Sequence, residues 1–181
     1  MEIYVKEFAH GDRLDPIDDS FTVDSMLVLT FTGHKFHYVI KEIPPYTKSY
    51  MDIEGKDDEE TDYSSYINNP DQVMYLAFCE EQLAGQIMIK RNWNQYAYIE
   101  DIKVDLQFRR YGIGRQLIDK AKSWAKSGNM KGIMLETQNN NVKACKFYES
   151  CGFVLGGIDC YIYKNILEGR EETALYWYLS T

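Results

Sequence analysis

The segment QFRRYGIGRQLI, residues 107–118, combines residue types that can bind an anion. Gly112 and Gly114 stand just ahead of a helical apolar pattern, and glycine lets an oxygen approach the backbone closely. The first amides of a helix have no partner in the helix, and the peptide dipoles place partial positive charge there. Arg109 and Arg110 add forked donors that suit phosphate. The segment predicts a diphosphate site, and a plain tight turn before a helix is the alternative.

Two other phosphate-binding patterns compete with this interpretation. A nucleotide-triphosphate loop is excluded because GxxxxGK[ST] does not occur in the chain. A dinucleotide-binding fold is favoured by Glu136, which ends the next strand at about the distance of a ribose-binding acid. It is disfavoured because Leu117 occupies the third glycine position and because the polar run DLQFRR separates the glycines from the preceding strand.

Regular apolar patterns on both sides of the segment predict the elements that position it. Upstream, the runs VMYLAFCE, LAGQIMIKR and YAYIEDIKV have short connections and predict an antiparallel meander. The run GIGRQLIDKAKSWAKSGN predicts an amphipathic helix, with Gly128 as a left-handed end. Downstream, GIMLETQ predicts a strand, and NNNVKACKFYESCGF predicts a helix with an asparagine cap that ends at Gly152.

The two ends of the chain are β-rich. EIYVKEF, SMLVLTFT and KFHYVIKEI predict strands, with a turn at Gly33 and His34 and a stop at Pro44 and Pro45. After the acidic run at 52–62, a short helix is expected to end near Asn68. IDCYIYKN and TALYWYL predict the last strands. The order indicates an α/β or α+β class with a mixed sheet flanked by helices, in a single domain over 1–181.

Composition excludes several kinds of partner. Twenty basic and 28 acidic side chains give a net charge of -8, which disfavours nucleic acid. No apolar run approaches the roughly 18 residues of a membrane span, and the first residues show no signal-peptide pattern. We therefore expect a cytoplasmic protein with reduced, buried cysteines. The three histidines have no metal-ligand spacing, so no metal site is predicted.

Two motifs in register resemble the GNAT acyltransferase superfamily. RRYGIG is similar to the acetyl-CoA signature [QR]xxGx[GA], with Arg109 in its first position, and NNNVKACKFYESCGF resembles a second segment of these proteins. The similarity runs from about Val73 to Ile162, and RNWNQYAYIEDIKV, the acidic tract and ALYWYL resemble streptothricin acetyltransferases more narrowly. The resemblance implies a GNAT fold: a twisted, mostly antiparallel mixed sheet whose two central strands, YIEDIKV and IMLETQ, splay apart.

The resemblance also implies which residues hold acetyl-CoA as a co-substrate. The turn that begins at Arg109 would hold the diphosphate through its backbone amides, and the strand before it would pair with the pantetheine arm. Asn141 matches a pantetheine-binding asparagine, and a helix cap is an equally good interpretation that does not exclude this role. The implied cofactor-binding residues are Ile102, Lys103, Val104, Arg109, Arg110, Tyr111, Gly112, Ile113, Gly114, Arg115, Asn141 and Tyr148.

Acetyl transfer needs a neutral amine and a proton for the leaving thiolate. By its place in the second motif, Tyr148 matches the family tyrosine that acts as the acid, and a tyrosine normally keeps its proton at neutral pH and so can donate it to a thiolate; core packing is its other interpretation. Glu100 and Glu136 match positions that serve as base in different relatives, and they rank ahead of Asp101. Strand alternation predicts that Glu100 and Asp101 lie on opposite faces. The base stays open, and water-mediated or baseless transfer is not excluded.

Charge suggests a small cationic amine as the acceptor. The run DIEGKDDEETD carries seven acidic side chains and one lysine, and it would attract a polycation such as streptothricin with its β-lysine amine. A solvated loop explains the same run. Trp93, Tyr96 and Tyr98 could form an aromatic wall for a cation or pack in the core. Another amine, such as a polyamine or a protein N-terminus, and a non-catalytic acyl-CoA sensor are the alternatives, and the oligomeric state, a homodimer included, stays open.

Overall fold

A computed structural model describes residues 2–50, 62–164 and 172–181. Within this part the chain forms two compact units. Of the described residues, the first unit comprises 2–21, 49–50, 62–133 and 181, and the second comprises 22–48, 134–164 and 172–180. Most of the acidic run lies outside the described residues, so its role stays a prediction, as does the single domain.

The described residues contain nine strands, two α-helices and two short 3₁₀ turns. In chain order they are β1 (Ile3–Glu7), β2 (Phe21–Thr32), β3 (Lys35–Lys48), a 3₁₀ turn (Ser64–Tyr66), β4 (Gln72–Cys79), β5 (Gln82–Arg91), β6 (Ala97–Val104), a 3₁₀ turn (Leu106–Phe108), α1 (Ile113–Ser127), β7 (Gly132–Gln138), α2 (Val142–Ser150), β8 (Val154–Asp159) and β9 (Ala174–Ser180). None of these helices is long and apolar enough to cross a bilayer.

The first unit is built on an antiparallel meander, which confirms that prediction. β1 pairs with β4, β4 with β5, and β5 with β6. Glu80 and Glu81 both have positive φ, 48° and 70°, as a two-residue hairpin turn requires. β5 is buried at every position from Leu83 to Ile87, so both of its faces are covered. α1 covers one face of β5, because Ile113 and Leu117 lie against Gly85.

α1 forms because its apolar residues recur every three or four positions. Five of them are buried: Ile113, Leu117, Ile118, Ala121 and Ala125. The predicted left-handed end at Gly128 is wrong, because this residue has φ -83° and Asn129 takes the left-handed conformation at φ 52°. A Cβ at Gly128 would lie 2.7 Å from Cε of Met130, which is the end of a flexible side chain and can move aside.

The second unit contains α2, most of β7, the antiparallel pair of β8 and β9, and the hairpin of β2 and β3. Asn139 joins three of these segments. Its backbone carbonyl and side-chain amide bond to Leu27 of the hairpin, at 2.8 and 3.2 Å, and its side-chain oxygen accepts a hydrogen bond from the Thr173 amide at 3.0 Å. This buried asparagine therefore has a structural role at the end of β7.

Three further predictions about the ends of the chain need correction. The stop predicted at Pro44 and Pro45 is wrong, because β3 continues through both residues; each strand of a two-stranded ribbon is an edge strand, where proline is tolerated. The strand predicted at IDCYIYKN lies earlier, at β8, since the Asp159 carboxylate accepts hydrogen bonds from the Tyr161 and Ile162 amides and forms a turn. Three free cysteines are buried, as predicted, but Cys160 is exposed.

Candidate active site

A buried aspartate, Asp105, stabilises the segment that leads into the turn ahead of α1. Asp105 accepts hydrogen bonds from the Gln107 amide at 3.0 Å and from the Asp18 amide at 2.9 Å. Its side chain caps the 3₁₀ turn that follows β6. Sequence reasoning missed this residue, although an aspartate at the start of a polar run is a typical cap.

Arg109 connects the same turn to the protein's own backbone. Its Nε donates to the Val104 carbonyl at 3.0 Å and its Nη1 donates to the Ser20 carbonyl at 2.7 Å. These contacts use two of the five guanidinium N–H donors. The geometry favours a positioning role for Arg109 over the direct phosphate contact that the motif implies.

The backbone between Arg109 and α1 has a conformation that is typical of anion-binding turns. Arg110 and Gly112 both have left-handed backbone angles, φ 70° and 82°, and alternating helical handedness of this kind turns successive N–H groups toward one point. The first helical hydrogen bond runs from the Gln116 amide to the Gly112 carbonyl at 3.1 Å. The amides of Ile113 and Gly114 therefore precede the helical ladder and suit an anion.

Most residues of this turn are exposed to solvent. Arg110, Tyr111, Gly112 and Arg115 are exposed, whereas Ile113 is buried and holds the start of α1 against β5. The exposed residues of this turn thus include two arginines, Arg110 and Arg115, whose positive charge suits a diphosphate.

The end of β6 presents the residues that the motif assigns to the pantetheine arm. Ile102, Lys103 and Val104 are half-buried and pair with Ile87, Gln86 and Gly85 of β5. These residues lead directly into the Asp105 cap and the turn. The end of β6 and the turn before α1 are therefore positioned together.

A β-bulge interrupts β6 at Glu100. Met88 pairs with Asp101 and Ile89 pairs with Ile99, so Glu100 is the extra residue. A bulge bends its strand and disturbs the alternation of side chains. The prediction that Glu100 and Asp101 lie on opposite faces is wrong, because they contact Lys90 and Gln86, which share one face of β5.

Both carboxylate oxygens of Glu100 are engaged. One accepts a hydrogen bond from the Tyr66 hydroxyl at 2.6 Å, and the other forms an ion pair with Lys90. Burial, and then this hydrogen bond, raises the pKa of Tyr66 above its ordinary value. These partners use about two of its four lone-pair sites, so its surroundings favour it less as a base than a carboxylate with an unpartnered oxygen.

Glu136, near the end of β7, has the surroundings expected of a base. Burial raises the pKa of its carboxyl, and Glu172 raises it further, against the lowering effects of a hydrogen bond from Tyr163 and of the Lys48 charge. Its Oε1 is buried and has no hydrogen-bond partner among the described residues. A carboxylate with a raised pKa and an unused oxygen can take a proton from an ammonium group near neutral pH.

α2 carries the remaining predicted residues. The Asn141 side chain accepts a hydrogen bond from the Ala144 amide at 3.2 Å, which confirms the helix cap and leaves its pantetheine role a prediction. Tyr148 is buried, with its ring 5.8 Å from that of Phe153 in an edge arrangement. Its packing is thus confirmed, and its acid role stays a prediction.

Comparisons with known proteins identify the family. The model of the acetyltransferase (GNAT) family matches residues 40–153. A streptothricin acetyltransferase of Escherichia coli is 37% identical over 98% of this chain and 95% of its own length, and streptothricin acetyltransferase A of Bacillus subtilis (strain 168) is 35% identical over 89% of each chain. A Bacillus anthracis crystal structure in complex with acetyl coenzyme A is 47% identical, with a TM-score of 0.91 over 99% of this chain and 100% of that one. The resemblance and the fold class are confirmed: the chain belongs to the acetyltransferase (GNAT) family.

Proposed function

We propose that this chain is an N-acetyltransferase that moves the acetyl group of acetyl-CoA to an amine of streptothricin, on its β-lysine part. The observation that carries the proposal is the similarity to streptothricin acetyltransferases along nearly the whole chain. The amide-lined turn before α1 supports acetyl-CoA as the donor, since it suits a diphosphate. We propose the cytoplasm as the compartment and a small cationic amine as the acceptor.

The described residues support a role for each part of the reaction. The amides around Gly112 bind the diphosphate, while the end of β6 and Asn141 bind the pantetheine arm. Glu136 takes a proton from the acceptor's ammonium group, and the freed amine attacks the thioester carbonyl. The carbon–sulfur bond then breaks, and Tyr148 gives its proton to the departing thiolate. The second proton that the nitrogen loses as the amide forms restores the Tyr148 hydroxyl, and Glu136 releases the first proton to solvent. The products are an N-acetylated amine and CoA.

Mass spectrometry of streptothricin after incubation with the protein and acetyl-CoA tests the proposal. We expect the drug to gain the mass of one acetyl group, and fragmentation to locate that group on the β-lysine part. A polyamine and a peptide with a free N-terminus, assayed in parallel, serve as competing acceptors. Unmodified streptothricin together with acetylation of a competing amine would refute the substrate, and bound acetyl-CoA without turnover on any amine would indicate a sensor.

A further inference from the structure

A buried ion pair in the second unit is not used by the reaction described above. Lys48, at the end of β3, donates hydrogen bonds to Oε1 of Gln138 at 2.5 Å and to Oε2 of Glu172 at 2.7 Å. The Lys48 and Glu172 side chains are only 4% and 2% exposed. Charges are rarely buried so completely unless their partners or a ligand compensate for lost hydration.

Glu136 lies near this ion pair, and together Lys48, Gln138, Glu172 and Glu136 form a polar cluster in which two buried carboxylate oxygens lack a donor among the described residues. Oε1 of Glu172 and Oε1 of Glu136 are both buried, and neither has a hydrogen-bond partner in the described part of the chain. Buried polar atoms of folded proteins nearly always have a partner, and an exception calls for a ligand, an ion or a water. Two orphaned carboxylate oxygens call for a donor.

The two carboxylates share one electrostatic environment. Glu136 and Gln138 stand two residues apart on β7, so their side chains point to the same face of that strand. Lys48, bonded to Gln138, and Glu172 both act on the Glu136 carboxyl. Among the residues that the structure describes, one cation, Lys48, faces the two carboxylates Glu136 and Glu172, so these three ionised groups carry a net charge of -1.

An ammonium group supplies what the cluster lacks, because it carries one positive charge and three donors and has no acceptor. We propose that Glu172 is an acceptor-binding residue, which joins Glu136 in offering its unused carboxylate oxygen to an ammonium group of the cationic acceptor. Lys48 holds the other oxygen of Glu172 and so fixes its orientation. This inference rests on the proposed function and adds the residue that recognises the acceptor's charge.

Calorimetric titration of streptothricin into protein saturated with CoA tests the inference, because this dead-end complex reports binding without turnover. The variants are Glu172→Gln and the double variant K48M/E172Q, which removes both buried charges and restores the net charge of the cluster. Glu149→Gln is the control, since Glu149 also pairs with a lysine, Lys146 at 3.1 Å, but its side chain is 34% exposed, against 2% for Glu172. Thermal unfolding identifies the variants that fold, and the double variant decides if Glu172→Gln does not.

We expect Glu172→Gln to weaken streptothricin binding roughly ten-fold or more, as loss of a charge-assisted hydrogen bond does. The double variant should also bind less tightly than the wild type, and Glu149→Gln should stay within about two-fold, as should CoA affinity in every variant. Unchanged streptothricin affinity in either folded Glu172 variant overturns the inference, and the proposed function survives if the wild type still acetylates the drug. A wild type that does not bind streptothricin overturns both.

Discussion

Gly85 sets the separation between β5, β6 and the start of α1, and Gly85→Ala tests this packing. A Cβ at this position would lie 2.7 Å from the Lys103 carbonyl oxygen, 3.3 Å from Cγ2 of Ile113 and 3.5 Å from Cδ1 of Leu117. The carbonyl is backbone and cannot rotate away as a side chain can. The added methyl group must therefore displace β6 or lift α1.

Overpacking of this kind costs about 1–3 kcal/mol in the free energy of unfolding. For a chain of this length that corresponds to a fall in Tm of roughly 2–12 °C. Acetyl-CoA affinity should fall as well, because the displaced carbonyl lies in the strand segment that we assign to the pantetheine arm. Differential scanning calorimetry gives Tm, and isothermal titration with acetyl-CoA gives the affinity.

Gly157→Ala is the matched control within a strand. The atoms nearest to a Cβ at Gly157 are Cβ and Cδ2 of Tyr176, at 3.7 and 3.8 Å, which are ordinary van der Waals distances. This variant should keep its Tm within about 2 °C and its acetyl-CoA affinity within about two-fold. A Gly85→Ala protein that behaves like the control would refute the claim that the packing at Gly85 positions β6 and α1.

Three further predictions concern the reaction itself. The base must be ionised, so kcat/KM should fall as the pH drops through the pKa of Glu136, which burial raises; this acidic limb should lie above the range of an exposed glutamate and disappear in Glu136→Gln. Gly112→Ala places a side chain at φ 82°, so it should cost about 1–2 kcal/mol locally and weaken acetyl-CoA binding in a calorimetric titration. Tyr148→Phe should lower kcat about 10²–10⁴-fold in a thiol-release assay while acetyl-CoA affinity holds; unchanged kcat would remove its acid role.

Local patterns predicted the turn before α1 and the cap of α2 correctly. Glycine spacing, helical periodicity and an asparagine before a helix each depend only on residues that are close together in the sequence. The structure bears out these signals at Gly112 and Asn141. The family resemblance came from the same two segments. Interactions between residues adjacent in the sequence determine these features, so the local sequence is enough to predict them.

Features that depend on distant partners were missed. The bulge at Glu100 arises from its register with β5, and alternation along β6 alone therefore placed Glu100 and Asp101 on opposite faces. The pair of Lys48 and Glu172 joins residues 124 positions apart, and no local spacing reveals it. Arg109 matched the motif, but its bond to the Ser20 carbonyl became visible only in the folded chain.

The grip of the turn on the diphosphate is the central claim, and a crystal structure of this protein with bound acetyl-CoA tests it most directly. We predict diphosphate oxygens within hydrogen-bond distance of the backbone amides that surround Gly112, with the pantetheine arm alongside Ile102 and Val104. A complex in which the diphosphate lies elsewhere and these amides contact only solvent would contradict the account.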